Sequence, residues 1–132
     1  MKVFIDTSAI LAVLNANDQY HVAAANVWNA LLSQSEQLYI NNYVIVEVFS
    51  LLQNQFGPEA VRLFNNDVLP VLGITWVGES AHQQAVSALL AANRRTLSLV
   101  DCTSFETMRQ LGISQVFAFD DHFKEQGFEV VQ

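Results

Sequence analysis

The chain has 132 residues, 52% of them hydrophobic and 14% charged, and its thirteen Asp and Glu against six Lys and Arg give a formal net charge of −7. That length suits one domain, residues 1–132, able to bury a core unaided, and the single cysteine, Cys102, forbids an internal disulfide. The acidic balance excludes nucleic-acid binding by a general positive field, and the lack of a membrane-length apolar run or signal-peptide pattern leads us to expect a cytoplasmic protein without membrane contact.

In chain order, residues 3–5 are an apolar run suited to a buried parallel strand, and Asp6, Thr7 and Ser8 start a helix over 7–14. Asp6 is thereby placed at a strand's carboxyl end, the edge of open α/β sheets where ligands gather. Val22, Ala25, Trp28, Leu31 and Leu32 give a helix over 21–32, and a polar break leads to a strand over 38–40. Asn41 and Asn42 offer an N-cap for an apolar helix over 43–55, which Gly57-Pro58 stops, and an amphipathic helix covers 59–67. Residues 74–77 read as a strand ended by Gly78, and 79–93 as an Ala-rich helix. Ser98 caps a helix through Gln110, with Asp101 completing a capping box and Gly112 ending the helix. A strand over 115–119, then Asp120-Asp121, and a short strand over 128–131 close the chain. Strands alternating with helices imply an α/β fold with a mostly parallel sheet.

Four apolar runs are interrupted or ended by a carboxylate: VFID at Asp6, VIVEVF at Glu47, LSLVDCTSF at Asp101 and VFAFDDHF at Asp120 and Asp121. No Lys or Arg lies between Lys2 and Arg62, so Asp6 and Glu47 have no cationic neighbour along the chain. Burying an ionised carboxylate costs several kcal/mol unless it is paired, hydrogen-bonded or metal-bound. Each position has a local explanation. Asp6 can cap the helix after it, Glu47 can face water at a helix boundary, Asp101 can serve only its capping box, and Asp120-Asp121 can form an ordinary turn. Taken jointly, the four suggest convergence on a shared site. Hard cations such as Mg²⁺ or Mn²⁺ take oxygen ligands, whereas zinc wants a His or Cys cluster that this chain lacks. Such a site reverses the local sign of charge, binds a phosphodiester and activates water, so hydrolysis of a nucleic-acid backbone is the expected chemistry.

As an ordered set, these segments resemble the PIN domain family, and the small size resembles its VapC-type ribonuclease toxins. The opening D-[TS]-[SN] is matched by Asp6-Thr7-Ser8, the helical Glu in its apolar setting by Val46-Glu47, S-x-x-D by Ser98 and Asp101, and the closing T-x-D-x-H-F by Asp120, His122 and Phe123. One departure is Ala118, which stands where the closing motif has a Thr hydroxyl. Motif register favours Asp120 over Asp121. The resemblance implies a three-layer α/β/α sandwich with a mostly parallel central sheet of four to five strands, acting as a Mg²⁺- or Mn²⁺-dependent endoribonuclease. Asp6, Glu47 and Asp101 would form the metal-binding, catalytic cluster with Asp120 beside them, supported by Ser8, Thr7 and Ser98. It further implies an RNA substrate, an antitoxin partner and a homodimer. Crowded like charges without metal should raise one or more of the acids' pKa values.

Two other classes compete. A catalytically silent PIN-like module would bind RNA or protein, and the intact acids argue against it. An aspartyl-phosphate enzyme built on Asp6 would want a second Asp at the position of Ser8, and a receiver domain would want a late Lys that is missing. Cys102, Trp28, Trp76 and the phenylalanines read as core, and His21 and His82 as solvent-facing. His122 reads as near the site or structural, and Arg94-Arg95 as a solvated pair or a rim contact for phosphate.

Overall fold

The computed structural model describes all residues, 1–132. Five strands, β1 (Lys2–Ile5), β2 (Gln37–Asn41), β3 (Gly73–Thr75), β4 (Gln115–Phe117) and β5 (Glu129–Val131), form one sheet in the order β3-β2-β1-β4-β5, every neighbouring pair parallel. Seven α-helices join them: α1 (Thr7–Leu14), α2 (His21–Ser33), α3 (Asn42–Phe56), α4 (Pro58–Leu63), α5 (Glu79–Ala92), α6 (Leu99–Leu111) and α7 (His122–Glu125). The chain walks outward from β1 to β3, then returns past β1 to β4 and β5. Because parallel crossovers are right-handed, that reversal sends α1–α4 and α5–α7 to opposite faces, giving the expected three-layer sandwich. The packing pairs agree, with α1 on α2 and α3, α3 on α4, and α5 on α6. It also opens a crevice between the carboxyl ends of β1 and β4.

Coverage on both faces explains why Val3, Phe4 and Ile5 are all buried instead of alternating. Cys102 lies in the core as expected. Asn41 caps α3 by accepting the Val44 N–H at 2.9 Å, and its buried amide donates to Thr107 Oγ1 at 3.1 Å and Thr103 Oγ1 at 3.4 Å on α6. The two helical layers are therefore tied together beside the end of β2. Gly57 and Gly112 end α3 and α6 at φ of 86° and 68°, values that favour glycine.

Several element ends differ from expectation. The helix expected over 59–67 stops at Leu63 and continues as a π-helical turn over Phe64–Val68, closed by the Leu69 N–H on the Phe64 carbonyl. Pro70 has no N–H to offer the Asn66 carbonyl, so the α-helical ladder cannot run on. Strand β3 ends at Thr75, and Trp76, expected in the core, is 72% exposed because it lies beyond the last sheet pairing. Trp28 is only half-buried, and Phe56 is exposed. Neither His21 nor His82 is simply solvent-facing: His21 Nδ1 donates to the Ala12 carbonyl at 2.8 Å, and His82 Nδ1 bonds the Tyr43 hydroxyl. Strand β4 ends at Phe117 because the Phe119 N–H turns away from the ladder to a side chain, and the short helix α7 follows. No helix is long and apolar enough to cross a membrane.

Candidate active site

Asp6 leaves β1 at the crevice, where its backbone N–H still donates to the Phe117 carbonyl at 3.0 Å. Its Oδ2 accepts the Ser8 N–H at 3.1 Å and the Ser8 hydroxyl at 2.6 Å, capping α1. The same hydroxyl oxygen accepts the Phe119 N–H at 2.9 Å, so Ser8 links the exits of β1 and β4 across the crevice. Ala118, buried and apolar, leaves that hydroxyl as the one that fixes the end of β4.

Asp101 sits in the first turn of α6. Its Oδ2 accepts the Ser98 N–H at 3.1 Å while Ser98 Oγ accepts the Asp101 N–H at 3.0 Å, a complete capping box. Asp120 accepts the His122 N–H on Oδ1 at 2.9 Å and so opens α7. The local explanations thus hold for all three aspartates. Each, however, occupies one carboxylate oxygen only: Oδ1 of Asp6, Oδ1 of Asp101 and Oδ2 of Asp120 accept no hydrogen bond from the protein. Glu47, half-buried in the second turn of α3, accepts none on either oxygen.

All four acids, with Thr7, Ser8 and Ser98, line one cleft of about 340 Å³ whose wall contains no Lys or Arg. Asp121 is exposed and lies outside that wall. Burial lifts the Asp6 carboxyl from 3.8 to about 7 despite the two hydrogen bonds from Ser8, and the charges of Asp101 and Asp120 add to the rise. Burial likewise raises the Asp101 carboxyl, opposed by the Ser98 hydrogen bonds and reinforced by Asp120.

The donor set fits a hard divalent cation. Asp101, Asp120 and His122 each bring a ligand atom within 4.8 Å of the others. His122 Nε2 lies 3.0 Å from the Thr96 carbonyl and therefore carries a proton donated there; its Nδ1 is buried without a hydrogen-bond partner, so the solvent-accessible ligands are carboxylate oxygens. The Thr7 hydroxyl, buried at the same wall, has no protein partner. Nothing in the sequence pattern marks Thr96, which holds the His122 ring. The same pattern offers Asn41 as a cap alone. The signal for its second role was the polar spacing of Thr103 and Thr107 on an otherwise core-facing helix.

The sequence matches the PIN domain family over residues 3–129. It is 33% identical over 131 residues to the 23S rRNA-specific endonuclease VapC20 of Mycobacterium tuberculosis, covering 98% of each chain. The crystal structure of that protein, described as a Sarcin-Ricin loop cleaving toxin, superposes with a TM-score of 0.88 over 98% of both chains. Two more distant structures share the fold. FitAcB from Neisseria gonorrhoeae has a TM-score of 0.70 at 16% identity, covering 100% of this chain and 97% of that one. VapBC2 from Rickettsia felis, bound to a DNA fragment from its promoter, has a TM-score of 0.72 at 10% identity, covering 99% and 98%.

Proposed function

The chain belongs to the PIN domain family, and from that premise we propose that it is a divalent-metal-dependent endoribonuclease, the toxin of a toxin–antitoxin pair. The observation that carries this reading is the single cleft lined by Asp6, Glu47, Asp101 and Asp120 with no cation in its wall. The relative named as an rRNA endonuclease, matched along nearly the whole chain, supports RNA as the substrate class.

In this reading the unbonded oxygens of Asp6, Asp101 and Asp120, together with Glu47, would hold Mg²⁺ or Mn²⁺. Once bound, such a cation would supply charge neutralisation for the phosphodiester and activation of the attacking water. Ser8 keeps Asp6 aimed by occupying Oδ2, which leaves Oδ1 without a protein hydrogen bond. Ser98 does the same for Asp101. Glu47, free of protein hydrogen bonds, would complete that oxygen donor set from α3. His122, pinned by the Thr96 carbonyl, fixes the turn that presents Asp120. Residues 1–132 act as one PIN unit in the cytoplasm, without membrane contact, held in check by an antitoxin protein. The exposed apolar side chains Val22 and Leu32 on α2 support a homodimer.

The test is cleavage of ribosomal RNA in Mg²⁺, Mn²⁺ or EDTA by wild type and by Asp6→Asn. Discrete metal-dependent cuts that vanish in the variant are expected. A folded wild type that leaves RNA intact with either metal would overturn the reading in favour of a binding module.

A further inference from the structure

Beside the acidic cleft, and sharing Glu47 with it, lies a second groove of about 260 Å³ lined by Asn42, Tyr43, Val46, Glu47 and Val100. Tyr43, Val46 and Glu47 are three and four residues apart and so share one face of α3, while Val100 directly precedes Asp101 on α6. The apolar walls of this groove therefore neighbour two of the cleft's acids along the chain. Val46 is 65% exposed, an apolar side chain open to water at the lip of a strongly polar site.

The wall is fixed and its polar atoms are mostly engaged. Asn42 Oδ1 accepts the Val77 N–H at 2.6 Å and its amide donates to the Val77 carbonyl at 3.5 Å. The Tyr43 hydroxyl is bonded to His82. What the groove offers a ligand is one aromatic ring, two valines and a carboxylate. A phosphate is repelled there by Glu47, and the net charge of −7 gives the surface little general attraction for an RNA backbone. The volume falls below that of pockets for drug-sized ligands and suits one planar ring system.

We propose that this groove seats the nucleobase of the nucleotide adjoining the scissile phosphate, packed against Tyr43, Val46 and Val100. The inference rests on the endoribonuclease reading, because continuity through Glu47 is what joins the base in the groove to a phosphate in the cleft. Base contacts of this kind supply affinity that an acidic protein cannot draw from phosphates. With the Asn42 amide and the Tyr43 hydroxyl engaged within the protein, apolar packing is the groove's main hold on the base, so loss of the base is not tolerated.

The experiment uses oligonucleotides around a mapped cleavage site, each with one abasic position, and compares kcat/KM for wild type, Val46→Ser, Tyr43→Leu and Tyr43→Phe. In wild type, base loss at one position next to the cut should lower kcat/KM about tenfold or more, by the usual magnitude of a stacking contact. The same loss should shrink to about twofold in Val46→Ser and Tyr43→Leu and persist in Tyr43→Phe, which keeps the ring. Val46 is a surface residue, so Val46→Ser tests the groove even where Tyr43→Leu disturbs α3. An abasic penalty equal in all four proteins, or no sensitive position next to the cut, would overturn the inference alone. A wild type that cleaves no RNA with metal present would fail the endoribonuclease reading and remove the inference with it.

Discussion

Asp6 and Glu47 line the same cleft and are held in opposite ways. Asp6, at a strand-to-helix turn, is almost wholly buried, takes two hydrogen bonds from Ser8 and keeps its proton up to about 7. Glu47, one turn into a helix, is half-buried and takes none. The turn fixes Asp6 through its backbone, whereas Glu47 is placed only by the helix that carries it. The cleft therefore combines a rigid acceptor whose ionised form is only partly compensated within the protein with an adaptable one. The under-compensated group should dominate both metal binding and the pH dependence of folding.

The largest expected effects accordingly fall on Asp6. Its folded-state value of about 7 exceeds the ordinary 3.8, so between those pH values the native state holds a proton that the unfolded chain has released. Stability of the metal-free protein is then greatest below about pH 4 as far as this group is concerned and declines as pH rises to about 7. Three units at 1.36 kcal/mol each set the decline at about 4 kcal/mol. Thermal melts in EDTA between pH 4 and pH 8 measure it. Asp6→Asn, which keeps an acceptor for Ser8 and removes the charge, should flatten that slope and melt higher than wild type at pH 8. The same variant should lose more than about a hundredfold in metal-dependent cleavage, beyond the loss typical of groups that only support a metal ligand. Equal pH slopes in the two proteins would show that the burial of Asp6 carries no uncompensated charge.

Glu47→Gln separates the two walls. Because Glu47 makes no hydrogen bond with the protein, its variant should match wild type in metal-free melting while losing about ten- to a hundredfold in cleavage. A stability change comparable to that of Asp6→Asn would erase the distinction. Ser8→Ala is the next step down. It keeps Asp6 but removes the hydroxyl that joins it to the Phe119 N–H, so about 1 kcal/mol of stability and roughly tenfold in metal affinity should go. Isothermal titration with Mn²⁺ beside a denaturant melt reads both.

Asp6, Asp101 and Asp120 were legible in the sequence because their positions follow from local rules: a carboxylate at the end of an apolar strand or in the first turn of a capped helix has one foreseeable place. Those rules also foresaw the caps, and each cap occupies one carboxylate oxygen and leaves the other without a protein hydrogen bond. The end of β4 was not legible. Phe119 continues the apolar run, and only the contact with Ser8, 111 residues away in sequence, takes its N–H off the ladder. Trp76 misled for a related reason, since strand propensity does not reveal where the sheet partner ends. The Asn41–Thr103–Thr107 link depends on which face of α6 meets β2, which no local window contains.

The smallest expected effect lies at Arg94, two residues before Thr96 of the cleft wall, and tests whether a cation near the cleft matters at all. Arg94 donates to Glu125 at 2.5 Å, and its guanidinium holds that carboxyl below the usual carboxylate range, yet both side chains are largely exposed. Exposed pairs of this kind add little to stability, and Arg94, already engaged by Glu125, has no free charge for an RNA phosphate. Arg94→Ala should therefore leave the melting temperature unchanged and cleavage within about twofold of wild type, as expected for a surface pair. Cleavage measured across a salt series makes the result decisive. A steeper loss with salt in wild type than in Arg94→Ala would mean that Arg94 leaves Glu125 for the substrate, and that the acidic cleft is served by a cation of the protein's own as well as by a metal.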